Sequence, residues 1–261
     1  PIGIFPEPAM TAEIINISLI ALIAFCAALA QGATGFGFAI IALPFLLLVL
    51  GSLDAIGLTI ILNLLVSLVL APGLWRQAPR GPLLRLSLGS AVGFPIGLAI
   101  FLHASLDWVR LAIGLIILLF AAALAWRQYK VPTHGELAPR PWQETLVGVL
   151  SGAMATALAM PGPAAMLYLS ARGMAKDALR ACTLCLFALS YGAALVLQAG
   201  AGAVASQAWL AAAFAALPTV LGAIAGNRLS SRLDEGRYRT IILSILLATG
   251  AYTTGAAMLS W

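Results

Sequence analysis

Polar positions along the chain are confined to short stretches that separate ten apolar runs. These lie near residues 12–30, 36–50, 55–74, 83–102, 108–126, 142–159, 161–172, 178–199, 206–226 and 240–260. Stretches such as Ile56–Leu70 and Leu111–Ala125 are apolar on every face. That pattern predicts helices surrounded by lipid or by other apolar helices, not amphipathic helices resting on a soluble core. The polar–apolar alternation of an outer-membrane barrel strand is absent, so the predicted fold class is an all-α integral membrane protein.

The polar linker Arg127–Pro141 divides the runs into five and five. The second run of each half is short, 15 and 12 residues. At ~1.5 Å per residue these reach only ~22 and ~18 Å, against ~30 Å of hydrocarbon. Each follows a longer run through a helix-disrupting break: Gln31-Gly-Ala-Thr-Gly-Phe-Gly37 in the first half, Met160-Pro-Gly-Pro163 in the second. Each half therefore opens with a broken or re-entrant helical hairpin. The halves also echo one another, Asp54-Ala-Ile-Gly with Asp177-Ala-Leu-Arg and Gly93-x-x-x-Gly97 with Gly222-x-x-x-Gly226, which predicts an internal repeat. Five segments per half is an odd number, so the second repeat enters the membrane from the opposite side and the repeats are inverted in topology. The expected organisation is residues 1–9 as a remnant or disordered N-terminus, 10–126 as the first transmembrane repeat, 127–141 as a linker and 142–261 as the second repeat.

Composition supports this reading. Of 261 residues, 62 % are hydrophobic and only 9 % charged, about a third of the charged share of a soluble domain. That excludes intrinsic disorder and a secreted disulfide scaffold. The net charge of +5 reports membrane orientation instead of nucleic-acid binding, because the basic residues cluster between apolar runs. With the breaks read as hairpins or paired crossings, thirteen of the fourteen Lys and Arg residues fall on one face and only Arg110 on the other. Fusing each broken pair into one span would put the basic linker and the basic stretch 172–180 on opposite faces. By the positive-inside rule the linker is cytoplasmic and both termini are extracytoplasmic.

Candidate chemistry sits at the breaks. Gly32, Gly35 and Gly37 permit unusual backbone geometry, and Pro163 suits a first helical turn. Non-helical backbone at membrane depth survives only inside protein or beside a cavity, so two short-arm N-termini facing each other would form an anion site. Within the apolar runs the polar residues are Thr34, Thr59, Asn63 and Ser67, then Thr156, Thr183, Ser190 and Gln198. Hydroxyls in membrane helices tend to bond their own backbone, but the Asn63 amide must bridge helices or face a pore. The candidate substrate-binding residues are Gln31, Gly32, Thr34, Gly35, Phe36, Gly37, Thr59, Asn63, Thr156, Pro161, Gly162, Pro163, Thr183 and Arg180, the last expected to snorkel at the cytoplasmic mouth. The spaced glycines Gly89, Gly93, Gly97, Gly222 and Gly226 read as packing ridges. No catalytic residue, metal site or cofactor is implied, since His103 and His134 lack ligand spacing and no carboxylate lies mid-segment.

The stretch Gln31-Gly-Ala-Thr-Gly-Phe-Gly-Phe-Ala-Ile-Ile-Ala-Leu-Pro-Phe-Leu46, the Asp54-Ala helix start and the echo over Ser151–Met166 resemble the TauE/SafE sulfite exporter family, also called the four-toluene sulfonate uptake permease family. The resemblance runs over essentially the whole chain from Met10. It implies a secondary transporter or exporter of small sulfur-containing or carboxylated anions, organosulfonates included, in a bacterial inner membrane; two inverted halves would make the mechanism alternating access. The chain departs from the family's glycine-rich second break by carrying Ala157 and Ala159. The implied partners are a small anion and the lipid bilayer, with a homodimer and a coupling ion left open. The competing readings are an intramembrane thiol-redox enzyme using Cys182 and Cys185, and a membrane assembly or scaffold protein.

Overall fold

A computed structural model describes residues 7–129 and 140–230. The described residues are helical throughout, with no strand among them. The first five helices are α1 (Glu7–Thr34), α2 (Phe38–Leu50), α3 (Asp54–Leu74), α4 (Arg80–His103) and α5 (Leu106–Tyr129). The second half contributes α6 (Pro141–Leu158), α7 (Gly162–Ala171), α8 (Lys176–Gly200) and α9 (Ser206–Ser230). The tenth apolar run, 240–260, and most of the linker lie outside the described residues. Helix α1 begins at Glu7, so residues 7–9 belong to it rather than to a disordered N-terminus. Helix α5 continues through Arg127 to Tyr129, three residues into the expected linker.

Among the described residues six helices, α1, α3, α4, α5, α8 and α9, are long and apolar enough to cross a membrane. Helices α2 and α7 have 13 and 10 residues, or ~20 and ~15 Å of rise, too short to cross ~30 Å of hydrocarbon alone. Both breaks fall where the glycine and proline pattern predicts, at 35–37 and 159–161.

Burial separates a central layer from a lipid-facing shell. Helices α2, α3 and α8 supply most of the large buried apolar side chains. On α4, Leu84, Leu88, Val92, Ile96 and Ile100 recur at four-residue spacing and are all about half exposed. Such a stripe would aggregate in water, whereas against acyl chains it needs no protein partner. Exposed Trp75, Trp108, Trp142 and Trp209 sit at or beside helix ends, the level of the headgroup interface.

The most extensive helix pairings are α4 with α6 and α1 with α9. The first helix of each half thus packs against the fourth helix of the other. Both crossings are backbone-to-backbone. A Cβ on Gly89, Gly93 or Gly97 would collide with the carbonyls of Thr145, Val149 and Ala153, and one on Gly148 or Gly152 with those of Leu86 and Ser90. At the other crossing Gly222 and Gly226 lie on the Phe25 and Leu29 carbonyls. Without a hydrophobic force between helices in lipid, close approach of small residues supplies the dispersion contacts that hold them. The glycine ridges are packing surfaces, as the spacing predicts.

Candidate functional site

A small cavity lies where the two breaks meet. It is lined from the first half by Gln31, Phe36, Gly37, Ala39, Ile40 and Asn63, and from the second by Met160, Gly162, Pro163, Phe187 and Tyr191. Its volume is ≈ 10 Å³, room for about one water-sized sphere. A sulfite-sized ion does not fit unless the breaks separate.

Each break leaves helix-terminal carbonyls and amides without intrahelical partners, and each such group must be satisfied locally in an apolar medium. At the first break, Gly35 and Gly37 adopt positive φ values of 86° and 110°, conformations that only glycine takes cheaply. The Thr34 hydroxyl donates to Ala30 O (2.7 Å) and Phe36 O (2.6 Å). Gln31 Oε1 accepts the Phe38 N–H at the start of α2 (3.1 Å). At the second break Ala159 takes the left-handed position, φ 53°, without being glycine. The departure from the glycine-rich pattern therefore preserves the turn, at a strain of roughly 1–2 kcal/mol.

Helix α8 closes both broken helices. Near its start, Arg180 Nη2 donates to Gly32 O at the end of α1 (2.7 Å) and to Asn227 Oδ1 of α9 (2.5 Å), and Thr183 Oγ1 to Gly35 O (3.2 Å). Nearer its end, Tyr191 donates its O–H to Ala159 O (2.9 Å) and Gln198 Nε2 donates to Thr156 O at the end of α6 (2.7 Å). Arg180 is only 7 % exposed, so it does not snorkel at the cytoplasmic mouth. Its guanidinium meets the negative end of α1, where a cation is stabilised, and its side chain lies against Gly35. The expectation that Arg180 snorkels is thereby corrected: it is a buried basic side chain at the first break.

The structure brings Gln31, Phe36, Gly37, Asn63, Gly162 and Pro163 together at the cavity. Asn63 both lines it and bridges helices, accepting from Gln31 Nε2 (2.6 Å) and donating to Tyr191 Oη (2.7 Å). Pro161 precedes α7 as its cap residue, and Gly35 and Thr34 shape the first break from behind. Gly32 packs on α9 beside Ala223. The Thr59 hydroxyl bonds Ala55 O of its own helix (2.7 Å), as hydroxyls in membrane helices do. Thr156 reaches across to Phe94 O of α4 (2.9 Å). Cys182 and Cys185 are fully buried free thiols on α8.

Sequence reasoning passed over Tyr191, because an aromatic in an apolar run reads as core; only its position two turns from Thr183 on the polar side of α8 marks it. It also passed over Glu144, which is 1 % exposed and paired with Arg172 Nη1 (3.0 Å) and with Arg85 Nε, tying α6 to α4 and to the end of α7. Asn227, the acceptor for Arg180, gave no signal beyond lying near the end of α9.

The sulfite exporter TauE/SafE family profile matches residues 20–253, most of the chain. The chain belongs to the sulfite exporter TauE/SafE family. No similar protein was found among curated sequences, and no solved structure matches. TauE/SafE membership, the six long apolar helices and the exposed apolar stripes make this a multi-pass membrane protein of a transporter family.

Proposed function

We propose that the protein carries a small anion, sulfur-containing or carboxylated, across the bacterial inner membrane by alternating access between two inverted repeats. One observation carries the reading: broken helices from the two halves converge on one cavity whose polar lining is neutral and able to donate hydrogen bonds. Neutral donors and helix N-termini stabilise an anion by roughly 0.3–2 kcal/mol each, enough to capture an ion and still release it. A lysine or arginine in the lining would hold it harder; Arg180 stands behind the first break, where its charge favours an anion without capping the path.

The exchange of first and fourth helices between the halves supports the inverted-repeat arrangement. The two glycine crossings, α1 with α9 and α4 with α6, are rigid pairs, each carrying one broken hairpin. Rocking one pair against the other around α3 and α8 would expose the cavity to either side. By the positive-inside rule the basic loops support a cytoplasmic linker with both termini outside. With the cytoplasm negative, outward movement of an anion gains ~2.3 kcal/mol per charge per 100 mV, so export needs no coupling ion and import does.

The test is reconstitution in liposomes with counterflow measured across a panel of sulfite, sulfonates, sulfate and carboxylates. Saturable flux of one class is the expected result. Flux of none overturns the reading.

A further inference from the structure

Four donors and four acceptors run unbroken between the two breaks, and their sense is determined by the ends. Phe38 N–H can only donate, so the Gln31 oxygen faces it and Gln31 Nε2 faces Asn63. The Asn63 oxygen accepts that bond, so its Nδ2 faces Tyr191. The Tyr191 oxygen accepts, and its O–H goes to Ala159 O, which can only accept. Gln31, Asn63 and Tyr191 are each at most 1 % exposed, so bulk solvent does not compete for them. The chain links α1 and α3 of the first half to α8 and the second break, across 128 residues of sequence at the Asn63–Tyr191 step.

We infer that this chain is a strap which the transported anion displaces, and that Tyr191 is an anion-contact residue whose O–H moves from Ala159 O to the anion. The inference rests on the anion-transport reading above. An oxyanion presents acceptors only. Gln31 Nε2, Asn63 Nδ2 and the Tyr191 O–H line the cavity and are all engaged with protein acceptors. An anion binds them only by replacing those acceptors. The cavity is too small for an ion while the strap is closed, so the same displacement that binds the ion frees Ala159 of the second break from Tyr191. Charge-assisted bonds are about twice as strong as neutral ones, which favours the exchange. Occupancy and separation of the halves are thereby one event.

The test uses the full chain in lipid nanodiscs with 13Cζ-labelled tyrosine, sulfite as the probe, and Tyr191→Phe to identify the Tyr191 resonance by its disappearance. Saturating sulfite is expected to shift that resonance and leave the other tyrosines in place. Tyr191→Phe loses one donor to the ion and also two internal bonds that the ion must break, so its sulfite Kd stays within about threefold of wild type. Sulfite binding that leaves the Tyr191 resonance unmoved overturns the displacement alone. A loss of sulfite affinity above about thirtyfold in a folded Tyr191→Phe protein also overturns it, because no strap would then offset the lost donor. Absence of binding by sulfite and by every other anion of the panel overturns the transport reading itself, and the displacement with it.

Discussion

Replacing Asn63 by leucine removes the centre of the polar chain, and the structure sets the size of the effect. Asn63 is 1 % exposed and makes two hydrogen bonds, at 2.6 Å from Gln31 and 2.7 Å to Tyr191. In the folded protein the change leaves Gln31 Nε2 without its acceptor, while the Tyr191 O–H keeps Ala159 O. One orphaned buried donor costs about 1–3 kcal/mol, so the variant folds with reduced stability. For anion binding, the lost bond is charge-assisted and contributes about 1.5–3 kcal/mol. Against that stand both neutral bonds of Asn63, from Gln31 and to Tyr191, about 0.5–1.5 kcal/mol each, which the ion no longer has to displace. The terms nearly cancel, so the sulfite Kd stays within about threefold of wild type while stability falls by about 1–3 kcal/mol. Equilibrium binding of radiolabelled sulfite to proteoliposomes reads this directly, with thermal unfolding in parallel. Thr59→Val is the control. Thr59 lies one turn away on α3 but bonds its own helix, so its Kd should change by less than about twofold. Wild-type thermal stability in Asn63→Leu refutes the placement of Asn63 at the centre of the polar chain. A rise above about a hundredfold refutes the claim that the Asn63 donor is already engaged when the ion arrives.

Gly35→Val should abolish sulfite binding while the protein still inserts. It puts a side chain at φ 86° against Arg180, and the left-handed geometry alone costs roughly 1–2 kcal/mol; normal binding and transport by this variant would refute the role of the first break. Ala159→Gly should do the opposite, relieving left-handed strain at φ 53° for a net gain of about 0.5–1 kcal/mol after the greater freedom of the unfolded glycine, read as a raised Tm. Gly93→Leu should prevent folded protein from accumulating, because the added side chain meets the Val149 and Ala153 backbone rather than movable side chains; recovery of monodisperse protein with wild-type Tm would refute the α4–α6 crossing. Single cysteines at Thr133 and Ser260 in a cysteine-free background should label from opposite sides of the membrane, and labelling from one side would refute the inverted topology.

Much of the frame was legible in the sequence because it depends on local pattern. All-round apolar runs specify membrane helices, since backbone in hydrocarbon must bond within its own segment. Gly35, Gly37 and Pro163 marked the breaks because the two glycines take positive φ cheaply and the proline suits a first helical turn. The ridges at Gly89, Gly93 and Gly97 could likewise be read as packing surfaces, though not which helix each would meet. The tertiary structure alone decided the partners. That Gly93 meets Val149, that Arg180 closes the end of α1 instead of reaching for the headgroups, that Glu144 ties α4 to the end of α7, and that Tyr191 joins Asn63 to Ala159 all depend on contacts between distant segments. Periodicity assigns a residue to a face but carries no information about the opposing face. In lipid, apolar faces are nearly interchangeable, and lateral pairing is chosen by close fit and by the need of each buried polar group for one particular partner.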